Sequence, residues 1–276
     1  MNRRLPALSR TKISICIALL SLATPSISTA QPAPAAISAF DAYTSRVESR
    51  LARQHQSPAA FLSLNAPQPD STKRLRAGEL IIEQLSPATS DNVSGAMLHH
   101  WRGTAFVPGA KASDLQHLLS DFSSYPQHFS PEVLRAGVTH RDGDRMQAWM
   151  RVRQQHVLTV VMDTAYDVTF NQLDPQHRYS ISRSTRIAEI ASPGTPSEHP
   201  LSPGDEHGFL WRLNTYWTWE ERDGGLYLQI ESVSLTRSIP RGLAWAVRPY
   251  IESVPRESLE FTLRAAQNAL RSPLSH

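Results

Sequence analysis

Four residues interrupt otherwise strand-like stretches in a way that could do chemistry: Arg186, Arg212, Tyr216 and Glu231. Pointed into a dry interior, such a set would anchor a polar ligand head or handle protons, because a buried charge must find a partner. On the wet face of an antiparallel sheet the same residues form solvated ladders, and Arg183, Asp163 and Asp167 raise the same choice. No stronger chemistry competes. His99 and His100 are adjacent, so a strand would send them to opposite faces, and no His-Glu-x-x-His is present. No metal site is expected. Gly-x-Ser-x-Gly, a phosphate-cradling Gly-rich loop and a dinucleotide fingerprint are all absent, so no cofactor and no catalytic residue are assigned.

The element that must position Arg212, Tyr216 and Glu231 is a Trp-studded hairpin. His207–Glu221 and Gly225–Arg237 read as two strands joined across Arg222-Asp223-Gly224. With Asp223-Gly224 as a two-residue turn, Trp219 pairs with Leu228, Trp217 with Ile230, Thr215 with Ser232, Leu213 with Ser234 and Trp211 with Thr236. That face mixes indoles with small hydroxyls and is the one expected to look inward. Tyr216, Arg212 and Glu231 fall on the other face, and a one-residue slip would exchange the two. A terminal helix over Pro255–Arg271 carries a small-residue stripe of Ser258, Thr262 and Ala265 beside Leu259 and Leu263. The pairing predicts a cavity lined by Trp211, Leu213, Thr215, Trp217, Ile230, Ser232, Ser258, Thr262 and Ala265. Arg186, Arg212, Tyr216 and Glu231 are its possible polar anchors. A close-packed interior is the competing outcome.

The N-terminus reads as a secretory signal peptide over residues 1–30. Arg3, Arg4, Arg10 and Lys12 precede an apolar run, Ile13–Ala23, too short to span a bilayer comfortably, and Ser28-Thr29-Ala30 offers a small-residue cleavage site. The expected location is periplasmic or secreted. Cys16 lies in the leader, so the remaining chain has no thiol to form a disulfide or serve as a nucleophile. Losing the leader's four basic residues leaves 24 Lys+Arg against 25 Asp+Glu, a net charge of −1. The high isoelectric point is a leader effect, and a nucleic-acid partner is not implied.

Residues 31–94 read as a linker and helical extension, with an amphipathic helix over Ser38–His55 carrying Phe40, Tyr43, Val47 and Leu51 at helical spacing. That helix either docks on the main domain or binds a partner. From Gly95 the order is strand (Gly95–Val107), helix (Lys111–Asp121), a turn or second short helix, then six strand-like runs. Met146, Ala148, Met150 and Val152 alternate with polar residues, as one buried sheet face requires. A Pro-rich surface loop, Ala191–Glu206, interrupts the strands and serves either as a lid or as a plain connection. A short apolar helix is expected within Ile239–Ile251, as an end plug or a membrane-touching tip.

Three stretches carry a family likeness: Arg102-Gly103-Thr104-Ala105-Phe106-Val107-Pro108-Gly109, Leu119-Ser120-Asp121-Phe122-Ser123-Ser124-Tyr125-Pro126, and the strand-to-helix run Leu226–Leu270. Over about Gly95–Arg271 the chain resembles the START-like, polyketide cyclase-type (SRPBCC, helix-grip) superfamily. The resemblance implies an α+β fold in which a curved antiparallel sheet wraps a long C-terminal helix, set in a domain over 95–276. It also implies a hydrophobic small molecule or lipid as partner, bound and transferred without catalysis. Two alternatives stay open: a cyclase, dehydratase or isomerase using the same cavity, and a cavity-free interaction module.

Overall fold

The computed structural model describes residues 31–62, 70–85, 95–155, 159–238 and 244–271, with the side chains of 244–252 excepted. The signal-peptide reading falls on residues 1–30, outside the described residues. Two N-terminal helices, α1 (Pro34–Gln54) and α2 (Ser71–Arg76), precede strand β1 (Ile81–Gln84) and the long β2 (Ala96–Pro108). Helices α3 (Ala112–Ser120) and α4 (Tyr125–His128) follow, then β3 (Val133–Asp142), β4 (Arg145–Gln155), β5 (Thr159–Gln172), β6 (His177–Ala191) and the two-residue β7 (His199–Pro200). The chain closes with β8 (Arg212–Arg222), β9 (Gly225–Arg237) and α5 (Ala244–Arg271). The strands form one antiparallel sheet in the order β1-β2-β9-β8-β6-β5-β4-β3, with β7 beside β6.

The β8–β9 hairpin sets the register of the sheet. Asp223 and Gly224 both take positive φ, 57° and 73°, the backbone of a two-residue turn whose twist matches the flanking strands. Trp219 pairs with Leu228, Trp217 with Ile230, Thr215 with Ser232 and Leu213 with Ser234. This face, with Ala105 and Val107 of β2 and Met146 and Ala148 of β4, packs against α3, α4 and α5 in the main core. The fold is α+β, a nine-stranded antiparallel sheet gripping a C-terminal helix.

The opposite face is covered by α1. Ala36, Phe40, Val47 and Leu51 are buried on it, against Tyr216, Val233 and Leu235. Side chains of that size contribute about 1.5–3 kcal/mol each when buried, so the stripe predicted from spacing suffices to hold the helix down. The extension before residue 95 also completes the sheet, because β1 pairs with β2 from Ile81↔Thr104 to Gln84↔Trp101.

Two expectations need correction. Helix α5 is continuous from Ala244, so Pro249 and Pro255 lie within it and Pro255 is not its first residue. A proline removes one backbone hydrogen bond but leaves the helix on its C-terminal side intact. Trp211 does not continue the inner face of β8. It directly precedes the strand, its N–H donating to the Leu235 carbonyl oxygen at 2.8 Å without a pairing to Thr236, and it joins the α1-side cluster with Phe40 and Leu235.

Candidate functional site

The inner wall is filled at one end and half-covered at the other. Near the hairpin turn, Trp219, Leu226 and Leu228 are fully buried, and the Trp219 indole N–H donates to the Ala112 carbonyl oxygen at 2.9 Å. Toward the far ends of β8 and β9 the cover is mixed: Leu213, Thr215, Ser232, Trp101 of β2, Ser182 of β6, and Met150 and Val152 of β4 are half-buried, whereas Ser234 of β9 and Met97 and His99 of β2 are buried. Trp217 and Ile230 sit at the transition, 7% and 4% exposed. Small hydroxyl side chains cannot fill the span that large apolar groups close at the turn end. The half-covered end is therefore the candidate site.

Helix α5 spans this region between two limbs of the sheet. On one side it rides directly on β2: a Cβ placed on Gly103 would lie 2.4 Å from Leu263 Cδ1 and 3.2 Å from Leu259 Cδ2. A glycine inside a strand marks such close approach. On the other side Ser258 faces β4, where the Gln154 side-chain amide donates from Nε2 to Ser258 Oγ at 3.1 Å. Thr262 turns its hydroxyl back to the Ser258 carbonyl oxygen at 2.8 Å, and Ala265 is buried in the core. Leu213, Thr215, Trp217, Ile230, Ser232, Ser258, Thr262 and Ala265 thus share one side of the sheet with α5 or lie on α5 itself.

Two polar atoms of this inner surface are buried without a protein partner, Trp101 Nε1 and Gln154 Oε1. A third group, Glu132 in the turn between α4 and β3, accepts a hydrogen bond from Ser258. Burial pushes its carboxyl up to about 7, with the Ser258 bond pulling partly back. Extending the alternation Met146, Ala148, Met150, Val152 by one step reaches Gln154, and the one glycine inside β2 is Gly103. Nothing in the local sequence around Glu132 distinguishes it from a turn residue.

The four anchor residues take other places. Tyr216 and Glu231 lie beneath α1: the Tyr216 hydroxyl donates to Glu48 Oε1 at 3.1 Å, and Glu231 accepts from His100 Nε2 at 2.9 Å and from Arg50. Arg102 Nη1 stands 3.8 Å from the other Glu231 oxygen, and Tyr43 reaches the far side of the His100 ring at 2.9 Å. Desolvation pushes the Glu231 carboxyl up, but His100 and Arg50 outweigh it and hold the group below the usual carboxylate range. Arg212 lines a surface groove of about 210 Å³ with Phe40, Thr44, Glu48, Arg183 and Asn214. Arg186 is exposed and pairs with Ala165 of β5, on the outer side. The reading of Arg186, Arg212, Tyr216 and Glu231 as polar anchors of the cavity is corrected: none faces α5, because alternation puts Arg212, Tyr216 and Glu231 on the α1 side once Trp217 and Trp219 face inward, and a register shift between Ser184 and Arg186 keeps Arg186 on the outer side. Acid–base chemistry through an inward Arg186–Arg212–Glu231 set has no geometry to support it.

The Pro-rich segment is tied down at both ends. Glu198 binds Arg151, which also holds Asp163, and the buried Glu189 carboxylate accepts backbone N–H groups of His207, Gly208 and Phe209 at 2.9–3.1 Å. Among the described residues no three His, Cys, Asp or Glu side chains group to hold a metal ion, and no helix is long and apolar enough to cross a membrane.

No family model matches the chain, and no curated protein matches it in sequence. Solved structures do. A STAR-related lipid transfer protein fragment from Xanthomonas axonopodis is similar at 18% identity and TM-score 0.45, covering 69% of this chain and 99% of its own. The Zhui aromatase/cyclase from Streptomyces sp. R1128 is similar at 16% and 0.45, covering 64% and 97%. Human STARD10 is similar at 10% and 0.42, covering 75% and 80%. At these identities and TM-scores the likeness carries no argument of its own. The strand order, the two short helices after β2 and the gripped α5 show an antiparallel sheet wrapped around a C-terminal helix.

Proposed function

We propose that this protein is an exported, noncatalytic carrier that binds, and transfers, a hydrophobic small molecule or lipid between the sheet and α5. One observation carries the reading. The inner wall is closed by large apolar side chains at the hairpin turn, while at the other end half-covered residues alternate with the buried Met97, His99 and Ser234. That end is lined by Trp101, Leu213, Thr215, Ser182 and Ser232, and the wall holds two buried polar atoms, Trp101 Nε1 and Gln154 Oε1, that no protein group satisfies. Ligand sites are mainly apolar with a few fixed polar groups, and this wall has that composition. Export follows from the leader: its basic start, short apolar run and small cleavage residues belong to a secretory signal. Membrane contact enters only at pick-up or release.

Native mass spectrometry of the purified mature protein tests the carrier. The expected result is a population carrying the mass of an apolar molecule, lost on organic extraction and diminished by Trp217→Ala. A single ligand-free mass after gentle purification, together with no binding of an apolar dye, refutes it.

A further inference from the structure

We propose that Glu132, Gln154 and Ser258 form a headgroup subsite that selects an apolar ligand ending in a neutral hydrogen-bond donor, such as a hydroxyl, over one ending in a carboxylate or phosphate. The proposal rests on the carrier reading and names the chemistry of its ligand's polar end.

The direction of the hydrogen bonds decides it. Ser258 Oγ accepts from Gln154 Nε2 at 3.1 Å and spends its own proton on the Glu132 carboxyl. One Nε2 proton of Gln154 and the Ser258 hydroxyl proton are thereby used within the cluster, which leaves the second Nε2 proton as its one free donor. What else remains toward the ligand is acceptors: Gln154 Oε1, buried and unpartnered, and the carboxyl of Glu132. A buried acceptor without a donor is costly, and a ligand hydroxyl relieves it.

An anionic head meets the reverse. It would lie beside the Glu132 carboxylate and find one neutral donor, the second Nε2 proton of Gln154, which does not balance its charge. Among the described residues no arginine or lysine compensates. Arg151 is committed to Asp163 and Glu198, Arg153 reaches the Pro131 carbonyl oxygen, Arg264 pairs with Glu260, and Arg256 is exposed. The free indole N–H of Trp101 lies on the other limb of the sheet, beyond Gly103, and one neutral donor does not balance a carboxylate. Among the described residues only Ser258 opposes the burial that raises the Glu132 carboxyl.

The test is displacement of Nile red from the full purified protein by 1-dodecanol and by dodecanoate at pH 8, two probes of one chain length that differ at the head. The expected result is displacement by the alcohol at a concentration at least about tenfold lower, the scale set by one satisfied hydrogen bond and one unbalanced charge. Gln154→Leu removes the free acceptor and narrows that gap at least about threefold with dye affinity kept. Ser258→Ala frees the Gln154 amide N–H and narrows it as well, so the test survives if one variant fails to fold. Equal or tighter binding of dodecanoate by the wild type overturns the proposal, and so does an unchanged gap in both folded variants. Failure of the wild type to bind Nile red at all sinks the carrier reading itself, which separates the two failures.

Discussion

Acid should loosen the grip of α1 on the sheet, and His55 is the group that makes this measurable. Its ring is buried at the end of α1, stacked on Tyr179 with ring centroids 4.1 Å apart and bonded through Nε2 to Thr218 Oγ1 at 2.9 Å. Desolvation lowers its pKa from 6.5 to about 4, with Glu231 opposing and Arg50 assisting. Between those values the unfolded chain binds a proton that the folded chain refuses. Stability therefore rises with pH across that window: the contribution is complete above pH 6.5 and is lost as pH falls toward 4. At about 1.4 kcal/mol per pH unit the window holds at most about 3 kcal/mol. His55→Phe keeps a ring against Tyr179 and Phe61 but cannot titrate. It leaves Thr218 without its partner, a penalty of about 1 kcal/mol that does not depend on pH. Urea denaturation followed by tryptophan fluorescence, from pH 4 to 8, should show the wild type losing about 2–3 kcal/mol more than the variant on acidification. Parallel curves for the two proteins would refute the buried neutral histidine.

Three further outcomes follow from the same contacts. Glu231→Ala removes the acceptor shared by His100 and Arg50, while Arg102 keeps Glu83 at 2.9 Å, so it should cost about 1–3 kcal/mol in urea denaturation; an unchanged stability would show that the cluster is solvated. Because the Glu231 carboxyl is held below its ordinary range, its contribution is present above the unfolded pKa and disappears as pH falls through the folded one. Gly103→Val drives a side chain into Leu263 and Leu259, an overpacking cost of about 1–3 kcal/mol. Differential scanning calorimetry should then show a melting point lower by several degrees, and an unchanged one would mean that α5 does not ride on β2. Glu132 has the opposite pH sense to His55. Its folded pKa is raised from 4.5 to about 7, so it lowers stability as pH climbs through that interval. Glu132→Gln should abolish that decline, and persistence of the decline in the variant would exclude Glu132 as its source.

Much of this architecture is legible in local pattern, because local pattern has local causes. The two-residue turn at Asp223-Gly224 dictates the β8–β9 register, and register dictates which side chains share a face. Phe40, Val47 and Leu51 mark one side of α1 by spacing alone. The stretch Leu75–Leu85 reads only as a short apolar element of undecided type, which the structure resolves into the end of α2 and β1, and β7 escapes notice, since four and two residues are too few to show alternation.

The sequence by itself determined the hairpin, its two faces, the amphipathic α1, the small-residue stripe of α5 and the leader-like start. Only the tertiary structure decided what each face meets. Arg212, Tyr216 and Glu231 look like pocket anchors until α1 is seen covering them, and no periodicity states which helix covers which face. Trp211 leaves the inner wall for the α1-side cluster just before β8 begins. Glu132, Gln154 and Ser258 are separated by 22 and 104 positions along the chain and meet only because the sheet closes around α5. Polar groups so far apart carry no shared signal in one sequence. Their pairing is a product of packing, and the polar end of the candidate site rests on it.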